Sequence, residues 1–355
     1  MAYRLFTLNE KKLWLEYFKS LPIDQQDVFF TPDYYSLYQN YGDGEATCFV
    51  YEEEDRIVLY PFLKNSINSL GYGLSEECYD IQGAYGYNGV VTSCKDADFL
   101  SRFHGCFDKY CSDNNIIAEF SRFHPLLKNE KLASSKMSII FDRKVVYVDL
   151  SDDYETIFNS FGKTTKKELL KSKSKYDLDI KIFEHRTDND LDLFCEIYKE
   201  TMDRVESEPY LYFNREYFEG LLNMDDTLFI VVYSEGKPIA VEITLKSPYY
   251  IYGHIGGRLT EYLRTPANSL FEAERIKYGI EHGCKYSYLG GGTTSDPEDP
   301  LLRFKSHFSR DLSDFYIGKR VHNMAIYQQI VEQWKKGYPD LYEKNKVKLL
   351  GYRDI

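Results

Sequence analysis

The stretch from Tyr249 to Phe308 constrains the fold more than any other part of the chain. Two short aromatic runs of strand character, Tyr249-Tyr250-Ile251-Tyr252 and Tyr286-Ser287-Tyr288-Leu289, each lead into glycine: Gly256-Gly257 after the first and Gly290-Gly291-Gly292 after the second. Between them Thr265 and Pro266 supply an N-cap and a first-turn proline. The helix they open carries Leu270, Ala273, Ile276 and Ile280 at helical spacing, with Gly283 at its exit. Glycine has no Cβ, so a ligand can approach the main chain at both strand ends. After a polar loop with Asp296, Glu298 and Asp299, Pro300 introduces a short helix. There Leu301, Leu302, Phe304 and Phe308 accompany Lys305, which brings a cation close to the glycines.

The order of elements repeats along the chain. In the first half a helix near residues 9–21 and a second one capped by Thr31 and Pro32 precede a hairpin, Thr47–Tyr51 with Ile57–Tyr60. A glycine-aromatic passage follows from Tyr79 to Gly89, too irregular for any element, then a helix from about Asp96 to Ser112 and a strand at Ile116–Phe120. In the second half helices at Leu191–Val205 and Arg215–Asn223 precede a hairpin that turns at Ser234-Glu235-Gly236-Lys237, and the strand–helix–strand stretch closes the block. With 355 residues the chain exceeds a usual single core, so two similarly built α/β domains are expected, 1–150 and 151–355.

Charge excludes some partners. Lys and Arg number 44 against 56 Asp and Glu, a formal charge of −12, which disfavours broad contact with DNA or anionic lipid. One basic run stands out, Lys163, Lys166, Lys167, Lys171, Lys173 and Lys175, either a solvated helix face or a screen for a phosphate-bearing ligand. No segment approaches the roughly 20 apolar residues needed to span a bilayer, and no signal peptide is legible, so a cytoplasmic protein is expected. Seven cysteines without a CxxC pair suggest neither a disulfide framework nor a metal site.

Several stretches taken together, SEGKPIAVEITL, HIGGR, TPANSLFEAERIKYGIEHGCKYSYLGGG and LLRFKSHFS, with YGYNG and RFHP in the first half, resemble the FemAB-related branch of the GNAT acyltransferases. The resemblance covers nearly the whole chain. It implies two tandem GNAT-like domains of the α/β (α+β) class, each a mixed central sheet flanked by helices. It also implies transfer of an acyl or aminoacyl group to an amine of a sugar or cell-envelope precursor. Fem-type members use aminoacyl-tRNA, whereas other relatives resemble acyl-CoA-dependent N-acyltransferases. The cofactor loop R-x-x-G-x-G/A of ordinary GNAT enzymes is absent, and GGRLTEYLRTPAN stands in its place.

Acyl transfer to an amine needs an acceptor for the amine proton and donors for the oxyanion. Lys305, which falls on the family's Phe-Lys motif, is the expected oxyanion or phosphate partner, with His254 or Glu242 as the proton acceptor. Gly256, Gly257, Arg258, Asn268 and Gly290, Gly291 and Gly292 are expected on the donor side. Asp80, Tyr85, Tyr87, Arg122 and His124 from the first domain, with Arg204 and Tyr327 from the second, are expected around the acceptor. An acyl-CoA donor is favoured over tRNA, because a tRNA would demand a broad basic surface. A Fem-type aminoacyl transfer and a non-catalytic binding protein of the same fold are the alternatives. A nucleotide-binding enzyme ranks last, since neither G-x-G-x-x-G nor GK[ST] is present.

Overall fold

A computed structural model describes residues 3–184 and 187–355. In chain order it begins with β1 (Tyr3–Thr7), α1 (Lys11–Lys19), α2 (Pro32–Tyr41), β2 (Glu45–Glu53), β3 (Arg56–Ser66), β4 (Tyr79–Gln82), β5 (Val91–Thr92), α3 (Ala97–Asp113), β6 (Ile116–Arg122) and β7 (Ser138–Asp149). Then come α4 (Tyr154–Ser160), α5 (Lys163–Tyr176), β8 (Leu178–Phe183), α6 (Asp188–Arg204), α7 (Arg215–Leu222), β9 (Thr227–Ser234), β10 (Lys237–Lys246), β11 (Tyr250–Arg258), α8 (Ala267–Glu281), β12 (Tyr286–Gly291) and α9 (Pro300–Lys305). The chain closes with β13 (Leu312–Val321), α10 (Met324–Gly337) and α11 (Pro339–Asn345).

Two compact units result, one made of the chain up to Asp142 together with Phe315–Ile355, the other of Arg143–Asp314. This partition differs from the expected 1–150 and 151–355: the C-terminal segment belongs with the first unit. The reason is long-range packing. β13 pairs antiparallel with β6, Ile317 opposite Arg122 and Val321 opposite Ala118. Ile330, Trp334 and Tyr352 then bury against Ile67, Tyr72, Cys78 and Ile117.

In the first unit the sheet runs β1-β2-β3-β4-β6-β13, with β5 beside β3, and only β4 and β6 are parallel. α3, between them in sequence, shows why it packs on this sheet: Phe99, Phe103, Phe107 and Tyr110 recur every three or four residues and are buried against Phe49, Tyr51, Tyr60 and Phe62. Asp96 caps its first turn through the Phe99 N–H.

The second unit repeats the scheme. Its order is β8-β9-β10-β11-β12-β7, again with a single parallel pair, β11 and β12, joined through a helix, α8. Both halves are therefore mixed-sheet α/β domains of one topology. The β9–β10 hairpin forms at the expected turn, where Glu235 and Gly236 both take positive φ (51° and 79°), as a two-residue hairpin of type I′ requires. α8 starts at Ala267 with Pro266 as its cap, one residue later than the sequence implies, because the Thr265 hydroxyl donates to Tyr262 O instead of capping.

Candidate active site

In the second unit the two parallel strands part company. β11 pairs with β12 only over Tyr250–Tyr252 against Tyr286–Tyr288. Beyond that point β12 stays with β7, Gly290 opposite Val146 and Gly291 opposite Val145. β11 stays with β10 as far as Arg258 opposite Ala240. From Gly253 onward β11 thus lacks a strand neighbour on one edge, and backbone groups there become available to a ligand. A cleft of about 340 Å³ lies along this edge.

The glycines of β11 are demanded by packing. A Cβ on Gly257 would lie 2.7 Å from Ile197 O and 2.8 Å from Thr201 Oγ1, so α6 could not approach the strand. A Cβ on Gly256 would lie 2.6 Å from Val241 O. Both residues line the cleft, together with Asn268 and Phe271 of α8 and Phe304 of α9. Thr201 ties α6 to the strand by accepting the Arg258 N–H at 2.8 Å.

Lys305 enters from the last turn of α9 and donates from Nζ to Gly291 O at 2.8 Å. Burial pulls its pKa down to about 8, against the opposing fields of Glu272, Asp299 and Glu242. α9 itself is fixed by Asp299, whose carboxylate accepts from the N–H groups of Leu301 and Leu302 and from Thr293 and Thr294. The Thr293 hydroxyl first, then these amides, hold that carboxylate well below its ordinary range. Two further cations line the cleft. Arg204 Nη1 donates to Arg258 O at 2.8 Å, and Arg258 Nη1 to Thr265 O at 2.9 Å. Burial and the neighbouring Arg204 both disfavour the Arg258 charge, a situation that an anionic ligand group relieves.

Of the two expected proton acceptors, Glu242 lines the cleft and His254 does not. His254 is the extra residue of a bulge in β11, between Ile255 opposite Ile243 and Gly253 opposite Thr244. Burial drives its pKa down to about 3, too low for a base working near neutrality. Glu242 stands opposite Gly256, and its Oε1 accepts from Thr244 Oγ1 at 2.7 Å and from Arg275 Nη1 at 2.5 Å.

Other expected site residues find different employment. Gly290, Gly291 and Gly292 are committed to β7 and to tight packing: Arg143 Nη1 donates to Gly292 O at 2.7 Å, and a Cβ on Gly292 would lie 2.4 Å from Asp299. Gly291 and Gly292 accept cations through their carbonyls, from Lys305 and Arg143, where the sequence suggested N–H groups turned toward a donor. Asp80 is fully buried in the first unit, where Tyr352 donates to it at 2.7 Å and Arg353 Nε at 2.9 Å; an acceptor ammonium cannot compete with that pairing. His124 is likewise buried, its Nδ1 accepting from the N–H groups of Leu126 and Leu127, and burial pushes its pKa to about 3. It organises a loop. Tyr327 lies in the first unit too and donates to Leu349 O at 2.8 Å.

Tyr85, Tyr87 and Arg122 are brought together in the first unit. Arg122 Nε donates to Gly86 O at 3.1 Å, and its guanidinium lies 5.9 Å from the Tyr85 ring and 5.4 Å from the Phe315 ring. Tyr87 packs edge-on against Phe315 at 5.7 Å. Sequence reasoning passed over two charged residues of the second unit, Glu272 and Arg275. The sequence carried no signal for them, since two opposite charges three apart on a helix read as a solvated surface pair, and their burial on α8 shows only in the fold.

Comparisons with known proteins bear on the fold and the family. Residues 159–306 match the acetyltransferase (GNAT) domain family. A UDP-N-acetylmuramoylpentapeptide-lysine N(6)-alanyltransferase from Weissella viridescens is 23% identical over 308 residues, 80% of this chain and 87% of that protein. Among solved structures, FemX is similar with a TM-score of 0.68 at 13% identity, over 92% of this chain and 99% of FemX. A tandem GNAT protein from the clavulanic acid biosynthesis pathway gives a TM-score of 0.51 at 8% identity, over 89% and 98%. The chain is an acyltransferase with a GNAT domain at residues 159–306, and along most of its length it is similar to the alanyltransferase and shares its fold with FemX.

Proposed function

We propose that this chain transfers an aminoacyl group from an aminoacyl-tRNA to an amine of a peptidoglycan precursor, in the cleft beside β11. The Weissella viridescens relative carries the reading: it matches along most of both chains, and its name specifies alanyl transfer to a lysine N6 of a UDP-muropeptide. That relationship favours the aminoacyl donor over the acyl-CoA expected from charge alone.

The chemistry can be assigned to residues on this footing. The amine lone pair attacks the ester carbonyl, and the oxygen acquires negative charge. Lys305, half-buried and protonated up to about pH 8, sits where a cation counts for more than in water. Of the two carboxylates lining the cleft, Glu242 and Glu272, Glu242 is assigned the amine proton, since its side chain is the more exposed of the two. Arg204 and Arg258 supply positive charge for a phosphate or carboxylate. On α5, Lys163, Lys167 and Lys171 are exposed and offer a local patch to an RNA backbone in spite of the net charge of −12.

The test is a donor comparison. Purified protein is incubated with UDP-N-acetylmuramoyl-pentapeptide and either alanyl-tRNA or acetyl-CoA, and the peptide is weighed by mass spectrometry. An alanyl adduct with the first donor alone supports the reading. An acetyl adduct, with no alanyl transfer, returns the chain to the acyl-CoA-dependent enzymes.

A further inference from the structure

Arg275 is the most deeply buried charge beside the cleft, with a side chain 1% exposed. On α8 it reaches between two carboxylates, Glu242 of β10 on one side and Glu272, one turn earlier on its own helix, on the other. The strand makes room for it: a Cβ on Gly253 would lie 2.5 Å from Arg275 Nη1. Burying three charges in one place is costly, and an arginine kept only for stability would be expected to have all its donors satisfied. Arg275 Nε has no hydrogen-bond partner among the described residues; its bonds to the two carboxylates run from the two terminal nitrogens.

The contact with Glu242 is directional. Nη1 and the Thr244 hydroxyl both approach Oε1, which fixes the carboxyl plane and leaves Oε2 without a hydrogen bond among the described residues. Glu242 keeps 14% of its side chain exposed and lines the cleft that Lys305 also lines. Glu272 occupies the second terminal nitrogen, so Arg275 cannot swing away from Glu242 without breaking a buried pair.

We propose that Arg275 is a positioning residue for the transfer: by holding Oε1 of Glu242 it presents Oε2 to the cleft as the acceptor of the amine proton. The proposal rests on the aminoacyl-transfer reading. In the step it serves, the amine nitrogen forms a bond to the ester carbon, the carbonyl π pair moves to oxygen, and the nitrogen's proton passes to Oε2. Collapse restores the carbonyl and breaks the carbon–oxygen bond to the ribose. The departing oxygen takes up the proton that Glu242 held.

The experiment is a double-mutant cycle on the full chain with alanyl-tRNA and UDP-N-acetylmuramoyl-pentapeptide, using Glu242→Gln, Arg275→Gln and the pair, each checked by thermal unfolding. Glu242→Gln is expected to lower kcat about 100-fold, within the usual range for a proton acceptor. Arg275→Gln should lower kcat by a similar factor with KM within about twofold, and the pair should fall no more than about threefold below Glu242→Gln, since residues acting through one another are not additive. Arg275→Lys, which keeps a buried cation, should recover part of the loss. It also stands in for Arg275→Gln in the cycle if that variant does not fold. Multiplied losses in the pair, or a loss confined to KM, overturn the proposal while leaving the transfer reading intact. Absence of wild-type turnover overturns the transfer reading and the proposal with it.

Discussion

A lysine whose ammonium is half out of water is useful as an oxyanion partner and vulnerable to pH. Lys305 is held near a pKa of about 8 mainly by burial, so its charge is present below that pH and lost above it. Turnover under saturating substrate should therefore fall about tenfold per unit as pH rises beyond 8, although a free amine nucleophile alone would gain from the rise. A kcat–pH profile checks this; a rate still climbing at pH 9.5 would remove Lys305 from the reaction. Stability moves the other way. The unfolded chain binds this proton up to about 10.5 and the folded chain only to about 8, so Lys305's contribution to stability rises with pH between those values. Lys305→Met should cost at least about 100-fold in kcat, as expected when an oxyanion donor is lost, with the fold retained. Turnover within about threefold of wild type would show the residue to be structural.

At the scale of elements, the positions that matter are those where backbone meets backbone. Gly257→Ala forces a Cβ against Ile197 O and Thr201 Oγ1, at 2.7 and 2.8 Å, on the helix that carries Arg204. The expected cost is about 1–3 kcal/mol, the usual range for overpacking, seen as a lower midpoint in urea at unchanged slope. A variant as stable as wild type would mean that α6 can retreat freely from β11. Patterns of this kind were partly legible beforehand. The β9–β10 hairpin follows from alternation plus Glu235-Gly236, α2 from Thr31-Pro32, and α8 from its apolar spacing and Gly283. β4 was not legible. Asp80 at its centre reads as a loop residue until Arg353, 273 positions away, is seen to neutralise it. Glu272 and Arg275 were hidden for a related reason: charges three apart on a helix look like a solvated pair, and only the third partner on β10 reveals burial.

Across the molecule, the two units share a topology but complete themselves differently. The first takes its last strand and part of its core from the far end of the chain, through β13, Trp334 and Tyr352. Asp80→Ala, which leaves Arg353 without its buried partner, should lower stability by about 2–3 kcal/mol. That is less than the roughly 3–5 kcal/mol for a fully buried pair, because the Arg353 side chain remains 20% exposed. Chemical denaturation measures it, and a loss under about 0.5 kcal/mol, typical of surface substitutions, would show the pair to be incidental. The Phe-Lys motif at Lys305 and the glycine-ended strands were readable because they are local. Which donor they serve was not, since net charge says little about a patch of three lysines on α5.

The transfer reaction itself decides the central claim. Wild-type protein and Lys305→Met are each given alanyl-tRNA and UDP-N-acetylmuramoyl-pentapeptide at about 0.1 M salt, and the peptide mass is followed with time. Wild type is expected to add one alanyl residue to the peptide, and Lys305→Met to add it at least about 100-fold more slowly while unfolding at the same temperature. An unchanged peptide mass with wild type, or equal rates for the two proteins, would contradict aminoacyl transfer at this cleft.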